Sequence, residues 1–269
     1  MADYERWRVK GKHLDLANFD TRSTKGAPGD RDLTRAATEP LIAQLAELQN
    51  RLWAEHRRSV LVIFQAMDAG GKDGTIRRVL TGVNPQGVRV VSFKAPTAEA
   101  LAHDFLWRVH QETPGHGEIG VFNRSHYEDV VIVRVNEIVR EPVWRKRYET
   151  IRHFEEGLAE DGTTIIKIFL HISKGEQAKR FRARLETAEK RWKFSAADLE
   201  VRAKWDLYQE AYGEAMAETS TDRCPWNVVP ADSKWYRDWA VLQILLGTLR
   251  DMDPQYPAAE AGLDSIVID

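Results

Sequence analysis

A glycine-rich turn at residues 68–74 contains the side chains with the clearest chemical potential in the chain. It follows five consecutive apolar residues, which predict a short buried strand, and it precedes a helical pattern. Because Gly70, Gly71 and Gly74 lack a Cβ atom, the backbone can turn sharply and direct its N–H groups into one concavity. The helix N-terminus adds partial positive charge at the same place, and Lys72 adds a full charge. A strand, a glycine turn and a helix in this order predict a phosphate-binding loop.

The turn matches the phosphate-loop pattern G-x-x-x-x-G-K-[ST] imperfectly. Ala66 stands in place of the first glycine, and Asp73 replaces the hydroxyl residue that would hold Mg²⁺. A glycine-rich turn before an ordinary helix is therefore the alternative interpretation. Asp68 favours phosphate binding, because a carboxylate in an anion-binding turn repels phosphate unless a divalent cation lies between them. We predict that Asp68 is a relocated Mg²⁺ ligand, with Mn²⁺ as a substitute metal. The other loop residues predicted to contact the phosphate chain are Ala69, Gly70, Gly71, Lys72, Asp73 and Gly74.

Composition and charge argue against several classes of protein. No apolar run approaches the roughly 18–20 residues that a membrane-spanning helix needs, and the first residues show no apolar signal core. The single cysteine, Cys224, cannot form an internal disulfide, and no Cys/His cluster has zinc-binding spacing. A net charge of −2 argues against coating a nucleic acid, so any polyanion must bind a local basic patch. These features predict a cytoplasmic globular protein that binds no membrane and is not expected to bind nucleic acid.

Short β patterns alternate with helical patterns along the chain. This alternation predicts an α/β fold with a parallel sheet and helices on both faces, and ligands in such sheets bind beyond the carboxyl ends of the strands. Lys167 is the one charge in the fourth β pattern, and we expect it at the strand's end or at an amphipathic tip. The predicted strands are residues 60–64, 88–93, 119–122, 163–170 and 227–230. The predicted helices are residues 32–53, 75–80, 99–109, 129–154 with a break near 141–142, 174–220 with a break near 192–195, and 235–249.

A second group of polar residues, Asn123, Arg124, Ser125 and Glu128, follows the third predicted strand directly. These residues could simply cap a helix, with Ser125 as N-cap and Glu128 completing a capping box. Alternatively, an arginine at the carboxyl end of a strand beside a phosphate loop is suited to bidentate phosphate contact. Asn123 and Glu128 could then order Mg²⁺ directly or through water. Both interpretations stay open at this point.

A basic cluster lies in the polar helical region at residues 174–220. Seven cations stand against two acids between residues 179 and 193. A solvated helix face is one interpretation, and RNA binding is another, since aromatic residues are interleaved. A mobile lid that delivers arginines to a transferring phosphate is the third, and Arg180 and Arg184 share one helix face at i,i+4 spacing. The cations are Lys179, Arg180, Arg182, Arg184, Lys190, Arg191 and Lys193.

Several motifs in order resemble the polyphosphate kinases of the second type. The similarity runs from about residue 4 to the C-terminus, and the motifs that carry it are residues 68–74, 121–129, 191–194 and 226–237. The resemblance implies a P-loop kinase-like three-layer sandwich with a five-stranded parallel sheet and a helical lid at about 174–220. It implies one domain over residues 1–269 and a homo-oligomer, either a dimer or a tetramer. Independently of the resemblance, residues 1–30 mix charges with Gly26, Pro28 and Gly29 without a sustained period, which predicts an extended N-terminal arm.

The resemblance also implies an activity: transfer of the terminal phosphoryl group between inorganic polyphosphate and a nucleotide, with Mg²⁺. Asp68 would bind the metal, and Lys72 the donor phosphate. Arg124, Arg180 and Arg184 would neutralise charge in the transition state. Many members have Asp where this chain has Asn123; Asn123 with Glu128 resembles the subgroup, class III, that accepts both AMP and ADP. By analogy, Lys94 and the residues from Asn123 to Glu128 would flank the acceptor nucleotide, and Lys193 would be a further ligand contact.

Two rival functions remain open at the level of the sequence. One is an ordinary nucleoside or nucleotide kinase with ATP on the phosphate loop. A cationic strip longer than one triphosphate requires would favour the polymer instead. The other is a non-catalytic module that binds polyanions or RNA, for which binding would depend on salt but not on Asp68.

Overall fold

A five-stranded, wholly parallel β-sheet forms the centre of the computed structural model, which describes residues 3–11, 13–263, 266 and 268. The strands lie in the order β2-β3-β1-β4-β5. This arrangement confirms the predicted α/β fold, including the number of strands and their parallel direction. The strands are β1 (Ser59–Gln65), β2 (Val88–Ser92), β3 (Ile119–Asn123), β4 (Thr163–His171) and β5 (Trp226–Pro230).

Helices connect the strands and cover both faces of the sheet. On one face α1, α2 and α10 pack together, and on the other α5 packs against α6 and α9, which gives the three layers that the resemblance implies. Short 3₁₀ helices occupy Asp3–Trp7, Leu16–Asn18, Pro85–Gly87 and Ala188–Lys193. The α-helices are α1 (Arg31–Glu55), α2 (Lys72–Val79), α3 (Ala98–Leu101), α4 (Trp107–His110), α5 (Glu128–Val135), α6 (Glu141–Glu160), α7 (Lys174–Glu186), α8 (Ala197–Ala203), α9 (Trp205–Thr219) and α10 (Lys234–Met252).

The strand register brings the predicted functional segments to one edge of the sheet. Every residue of the central strand β1 is buried, as expected for an apolar run covered on both faces. Asn123 at the end of β3 is level with Phe64 in β1 and with Ser92 in β2. The residues that follow these three strands therefore meet beyond their carboxyl ends, where parallel sheets bind ligands.

The prediction that Lys167 lies at the end of its strand or at an amphipathic tip is wrong. The residue lies in the middle of β4, level with Ile63 of β1 and Trp226 of β5, and its side chain is fully buried. Its ammonium group donates a hydrogen bond to the buried carboxylate of Glu155 at 2.6 Å. The charge is therefore paired inside the protein and is not exposed to solvent.

The predicted helix at residues 99–109 is also wrong in part, because the structure forms two short helices there, α3 and α4. The side chain of Asp104 accepts a hydrogen bond from the N–H of Leu106 at 3.0 Å. This local bond competes with helix hydrogen bonding and interrupts the helix between the two pieces.

The N-terminal segment runs beside β5 and α10. The N–H of Val9 donates to the carbonyl oxygen of Trp226 at 2.8 Å, and the ring of Trp7 packs edge-on against Tyr236 and Trp239. This buried aromatic cluster holds the segment against the core. None of the helices within the described residues has the length and apolar character needed to cross a bilayer.

Candidate active site

The turn between β1 and α2 has the backbone geometry of an anion-binding loop. Gly71 has φ +105° and Ala69 has φ +60°, both in the left-handed region. A Cβ atom at Gly70 would lie 2.4 Å from the Cβ of Ala66, so glycine is required there. Because α2 begins at Lys72, its first N–H groups, which have no partner within the helix, are directed at the turn.

Two side chains of α7 hold this phosphate loop by its carbonyl oxygens. The side-chain nitrogen of Gln177 donates to the carbonyl oxygen of Asp68 at 2.9 Å. Nη1 of Arg180 donates to the carbonyl oxygens of Ala69 and Gly70, both at 2.9 Å. Three successive carbonyl groups of the loop are therefore satisfied from the α7 side. Sequence reasoning missed Gln177, because a neutral side chain in a helix gives no signal of this contact.

Arg180 has a different environment from the one expected of a transition-state group. Its Nη2 donates to the carbonyl oxygens of Ala231 and Asp232 at 2.6 and 3.3 Å, and its Nε donates to Glu176 at 2.8 Å. The residue is only 8% exposed. In this conformation its donors are directed at protein acceptors, so Arg180 supports the loop.

Arg184, one helical turn further on, is more accessible. Its Nη1 donates to the carbonyl oxygen of Lys193 at 3.1 Å and lies 3.8 Å from the carboxylate of Asp198. A quarter of its side chain is exposed, and it lines the same cleft as the phosphate loop. Its guanidinium can reorient towards an anion at lower cost than that of Arg180.

Lys72 is positioned at the start of α2, and its Nζ donates to the carbonyl oxygen of Ala66 at 3.2 Å. Burial lowers the pKa of this ammonium group, and the nearby Arg124 guanidinium lowers it further. An anion strongly stabilises a charged ammonium group that is poorly solvated and repelled by a neighbouring cation. The environment of Lys72 is thus suited to phosphate.

Arg124 joins the second predicted group of residues to the loop. It has φ +64°, and its Nη2 lies 3.1 Å from the Asp68 carboxylate while its Nη1 lies 3.8 Å from Glu128. Burial raises the pKa of the Glu128 carboxyl, although Arg124 and Lys72 oppose that shift. Ser125 is not the N-cap of α5, which begins at Glu128 after Tyr127, so the capping-box interpretation is wrong.

Asp73 connects the loop to two other predicted site residues. Its carboxylate accepts a hydrogen bond from Asn123 Nδ2 at 2.7 Å and lies 3.7 Å from Lys193 Nζ. Lys193 ends the 3₁₀ helix after α7, so the polar segment reaches across the cleft to the first turn of α2. The carboxylate that replaces the expected hydroxyl residue therefore makes contacts within the protein.

These residues line one cleft of about 1580 Å³ beyond the carboxyl ends of β1, β2 and β3. All but one of the site residues predicted from the sequence lie on its wall; Glu128 is set behind Arg124. Lys94 is exposed on the side formed by the end of β2. Among the described residues the wall carries twelve lysine and arginine side chains and six acidic ones. The cations that sequence reasoning did not assign are Arg35, Arg77, Arg78, Lys234 and Arg237.

Arg237 is the most informative of these additional cations. It is 3% exposed, and its Nη1 lies only 2.0 Å from the position that a Cβ atom on Gly71 would take. Gly71 is thus needed for close approach of this arginine as well as for its own backbone conformation. The residue ends one of the motifs of the resemblance, at residues 226–237, but its position alone indicates no contact with the loop.

The oxygen ligands near the loop fit a hard divalent cation. No group of three His, Cys, Asp or Glu side chains that could hold a metal occurs in the part of the chain that the structure describes. Mg²⁺ is commonly bound through one or two carboxylates together with substrate phosphates and water, so a complete protein cage is not required. Asp68, with a carboxylate 19% exposed at the edge of the cleft, fits that arrangement.

A parallel α/β sheet with a glycine-rich phosphate loop, a loop lysine and a cationic cleft defines a phosphotransferase of the P-loop class. The family described as polyphosphate kinase 2 matches residues 29–257. The chain belongs to the polyphosphate kinase 2 family. It is a polyphosphate kinase, a transferase that moves phosphoryl groups between polyphosphate and nucleotides, and not a non-catalytic module.

Individual relatives agree with the family assignment. The chain is 54% identical over 266 residues to an AMP/ADP-polyphosphate phosphotransferase of Meiothermus ruber, covering 98% of this chain and 100% of the relative. It is 50% identical to an ADP-polyphosphate phosphotransferase of Rhodopseudomonas palustris, covering 94% and 92% of the two chains. The crystal structure of polyphosphate kinase 2 from Arthrobacter aurescens TC1 superimposes with a TM-score of 0.95 at 44% identity, covering 98% of this chain and 95% of that one.

Proposed function

We propose that this enzyme transfers the terminal phosphoryl group of polyphosphate to ADP and to AMP by direct, reversible, in-line displacement. The observation that carries this proposal is the extent of the cationic cleft. Its lining includes Lys94 after β2, the phosphate loop, Arg35 on α1 and Lys234 on α10. One triphosphate does not need cations at so many separate places, whereas a linear polyanion can contact those that, unlike Arg180, are not already held by protein acceptors.

The chain's own residues can align and neutralise the reacting groups. The N–H groups of the loop and Lys72 bind the donor phosphates, and the acceptor lies on the side of Lys94 and Asn123. Arg124 lies between the two, beside Asp68, where charge is shared in a loose transition state. The attacking phosphate oxygen of ADP or AMP is already ionised, so the reaction requires no strong general base.

The proposed metal is Mg²⁺. Asp68 would hold it together with phosphate oxygens and water, and the bound ion would neutralise phosphate charge. The ion pair between Arg124 and Asp68 at 3.1 Å supports this role, because it holds the carboxylate at the edge of the cleft, where it could bind a metal.

Use of both AMP and ADP is supported by Asn123 and by the Meiothermus ruber relative, which is named for both acceptors. The Asn123 amide donates to Asp73, whereas a carboxylate at residue 123 would face the carboxylate of Asp73. The neutral amide thus leaves one fewer negative charge near an acceptor phosphate.

We further propose that residues 174–220 act as a lid within one domain, that the protein is cytoplasmic and that it forms a dimer or a tetramer. The contact from Lys193 to Asp73 supports the lid, since it joins the two walls of the cleft. Light scattering on the purified protein measures the assembly, and a monomeric mass at all concentrations would contradict it.

The test of the activity is ATP formation from ADP, Mg²⁺ and long-chain polyphosphate, with AMP as a parallel acceptor. ATP from ADP together with ADP from AMP is the expected result. Product from ADP alone would contradict the dual acceptor, and absence of product from both would refute the proposal. Replacing Mg²⁺ by Mn²⁺ or adding a chelator tests the metal in the same assay.

A further inference from the structure

A buried polar cluster lies beneath the site on the α5–α6–α9 face of the sheet. The ammonium group of Lys167 donates to Glu155 Oε2 at 2.6 Å, to the Thr219 carbonyl oxygen at 2.8 Å and to the Tyr127 hydroxyl oxygen at 3.1 Å. The Tyr127 hydroxyl donates to Glu155 Oε1 at 2.8 Å, and His126 Nε2 lies 3.4 Å from the same oxygen. An ammonium group has three N–H bonds, so each one has a partner.

The cluster shifts the pKa values of the Glu155 carboxyl and the Tyr127 hydroxyl in opposite directions. Burial raises the pKa of the Glu155 carboxyl, but Lys167 and His126 outweigh burial, and the net shift is downward. Burial and the Glu155 charge together raise the pKa of Tyr127 well above its usual value. Tyr127 therefore stays neutral and keeps the proton that it donates. A buried ion pair is often less stabilising than apolar residues of similar volume, so stability alone is a weak reason for this cluster.

The cluster is connected to the site through a short stretch of backbone. Tyr127 lies three residues after Arg124 and directly before Glu128, at the turn between β3 and α5. Arg124 has φ +64°, a conformation that a residue with a side chain rarely adopts. The turn is fixed from below, because the side chains of Ser125, His126 and Tyr127 are buried.

We propose that Tyr127, Glu155 and Lys167 are positioning residues for phosphoryl transfer. Their hydrogen bonds anchor the turn on the buried side, so that Arg124 and Glu128 on the open side are held at the phosphate loop. The inference rests on the proposed role of Arg124, which lies 3.1 Å from Asp68. Tyr127, buried against Trp226, does not line the cleft and acts only through its neighbours.

The experiment compares Tyr127→Phe with Tyr148→Phe. Tyr148 is a buried tyrosine of α6 that packs on Trp144, so the control loses the same hydroxyl group away from the turn. We expect Tyr127→Phe to lower kcat with ADP on the order of tenfold, as the loss of one buried hydrogen bond allows, while KM for polyphosphate changes little. The control should keep its kcat. An unchanged kcat in folded Tyr127→Phe would overturn the proposal.

A double-mutant cycle with Arg124→Lys tests whether Tyr127 acts through Arg124. If it does, adding Tyr127→Phe to Arg124→Lys lowers kcat much less than it does in the parent, whereas equal effects in both backgrounds refute the positioning role. If Arg124→Lys and Arg124→Ala keep full activity, the proposed site itself fails along with this inference. A fully active Tyr127→Phe beside an inactive Arg124→Ala refutes only the inference. Should Tyr127→Phe fail to fold, Thr219→Val removes the hydroxyl 3.0 Å from Tyr127 and carries the same expectation.

Discussion

Replacement of Gln177 by leucine tests whether α7 shapes the phosphate loop. The change keeps the approximate size of the side chain but removes the donor that lies 2.9 Å from the Asp68 carbonyl oxygen. It also removes the acceptor 3.0 Å from Arg202 Nη1. Gln177 is fully buried, so little water can replace the lost donor. We expect a folded protein whose loop no longer keeps its geometry in the absence of phosphate.

The magnitude follows from the lost hydrogen bond. Leaving one buried carbonyl oxygen without a donor costs about 1–3 kcal/mol. If the loop relaxes when no phosphate is bound, phosphate binding must restore its geometry, and the free energy of that change weakens binding. Each ~1.4 kcal/mol of weakened binding corresponds to a tenfold rise in Kd. We therefore expect the Kd of tripolyphosphate to rise roughly tenfold, with an upper limit near 150-fold.

Calorimetric titration with tripolyphosphate measures this change in Kd directly. AMP is titrated as a second ligand in the same way. The matched control is Gln209→Leu on α9, whose side-chain nitrogen makes no hydrogen bond with any described residue. The control should bind tripolyphosphate as the parent does. A Gln177→Leu protein with the parent's Kd would refute the idea that the loop depends on α7, whatever its stability.

Three further predictions test other parts of the site. Asp68→Asn and Lys72→Ala should each abolish transfer in coupled ATP-formation assays while far-ultraviolet circular dichroism stays unchanged; full activity in either would contradict the loop assignment. Arg184→Glu should raise KM for polyphosphate more than KM for ADP, with little change in Tm. Arg180→Glu should raise KM in the same way and also lower Tm by several degrees, because it buries a carboxylate among carbonyl oxygens. Equal Tm values for the two variants would contradict the supporting role of Arg180. Burial raises the pKa of Glu128, so the folded state binds a proton that the unfolded chain has released, and stability falls as pH rises above the ordinary value of 4.5. The Glu128→Gln variant should then have a higher Tm than the parent at about pH 8 and the same Tm near pH 4. A lower Tm of the variant at pH 8 would contradict an upward shift of the Glu128 pKa.

The sheet and the phosphate loop could be predicted because their signals are local. The apolar run of β1 is buried at every position, and its glycine turn needs no distant partner to be identified. The polar residues after β3 were expected near the loop because parallel strands end at one edge, and Arg124 does lie 3.1 Å from Asp68.

The remaining features depend on contacts between distant parts of the chain. Lys167 has its partners at residues 127, 155 and 219, and none of them follows from the pattern of β4. Arg180 is a cation in a basic run, but its burial depends on carbonyl oxygens of the loop and of the turn after β5. A sequence pattern indicates that a charge is present and does not specify which acceptor it will find.

The spread of cations over several elements of the cleft wall has a consequence for a repeating ligand. The cations come from α1, α2, α7 and α10 and the segments between them, without one dominant position. Polyphosphate presents the same charged unit at every step, so a chain that shifts by one unit meets the same set of side chains. Binding positions that differ by one whole phosphate unit therefore have similar free energies away from the chain's end. Under the proposed function, a chain shortened by one unit can occupy the same side chains again, shifted by that unit. Under the same proposal, the phosphate loop fixes the position of the terminal unit, so the end of the polymer sets the register of the bound chain.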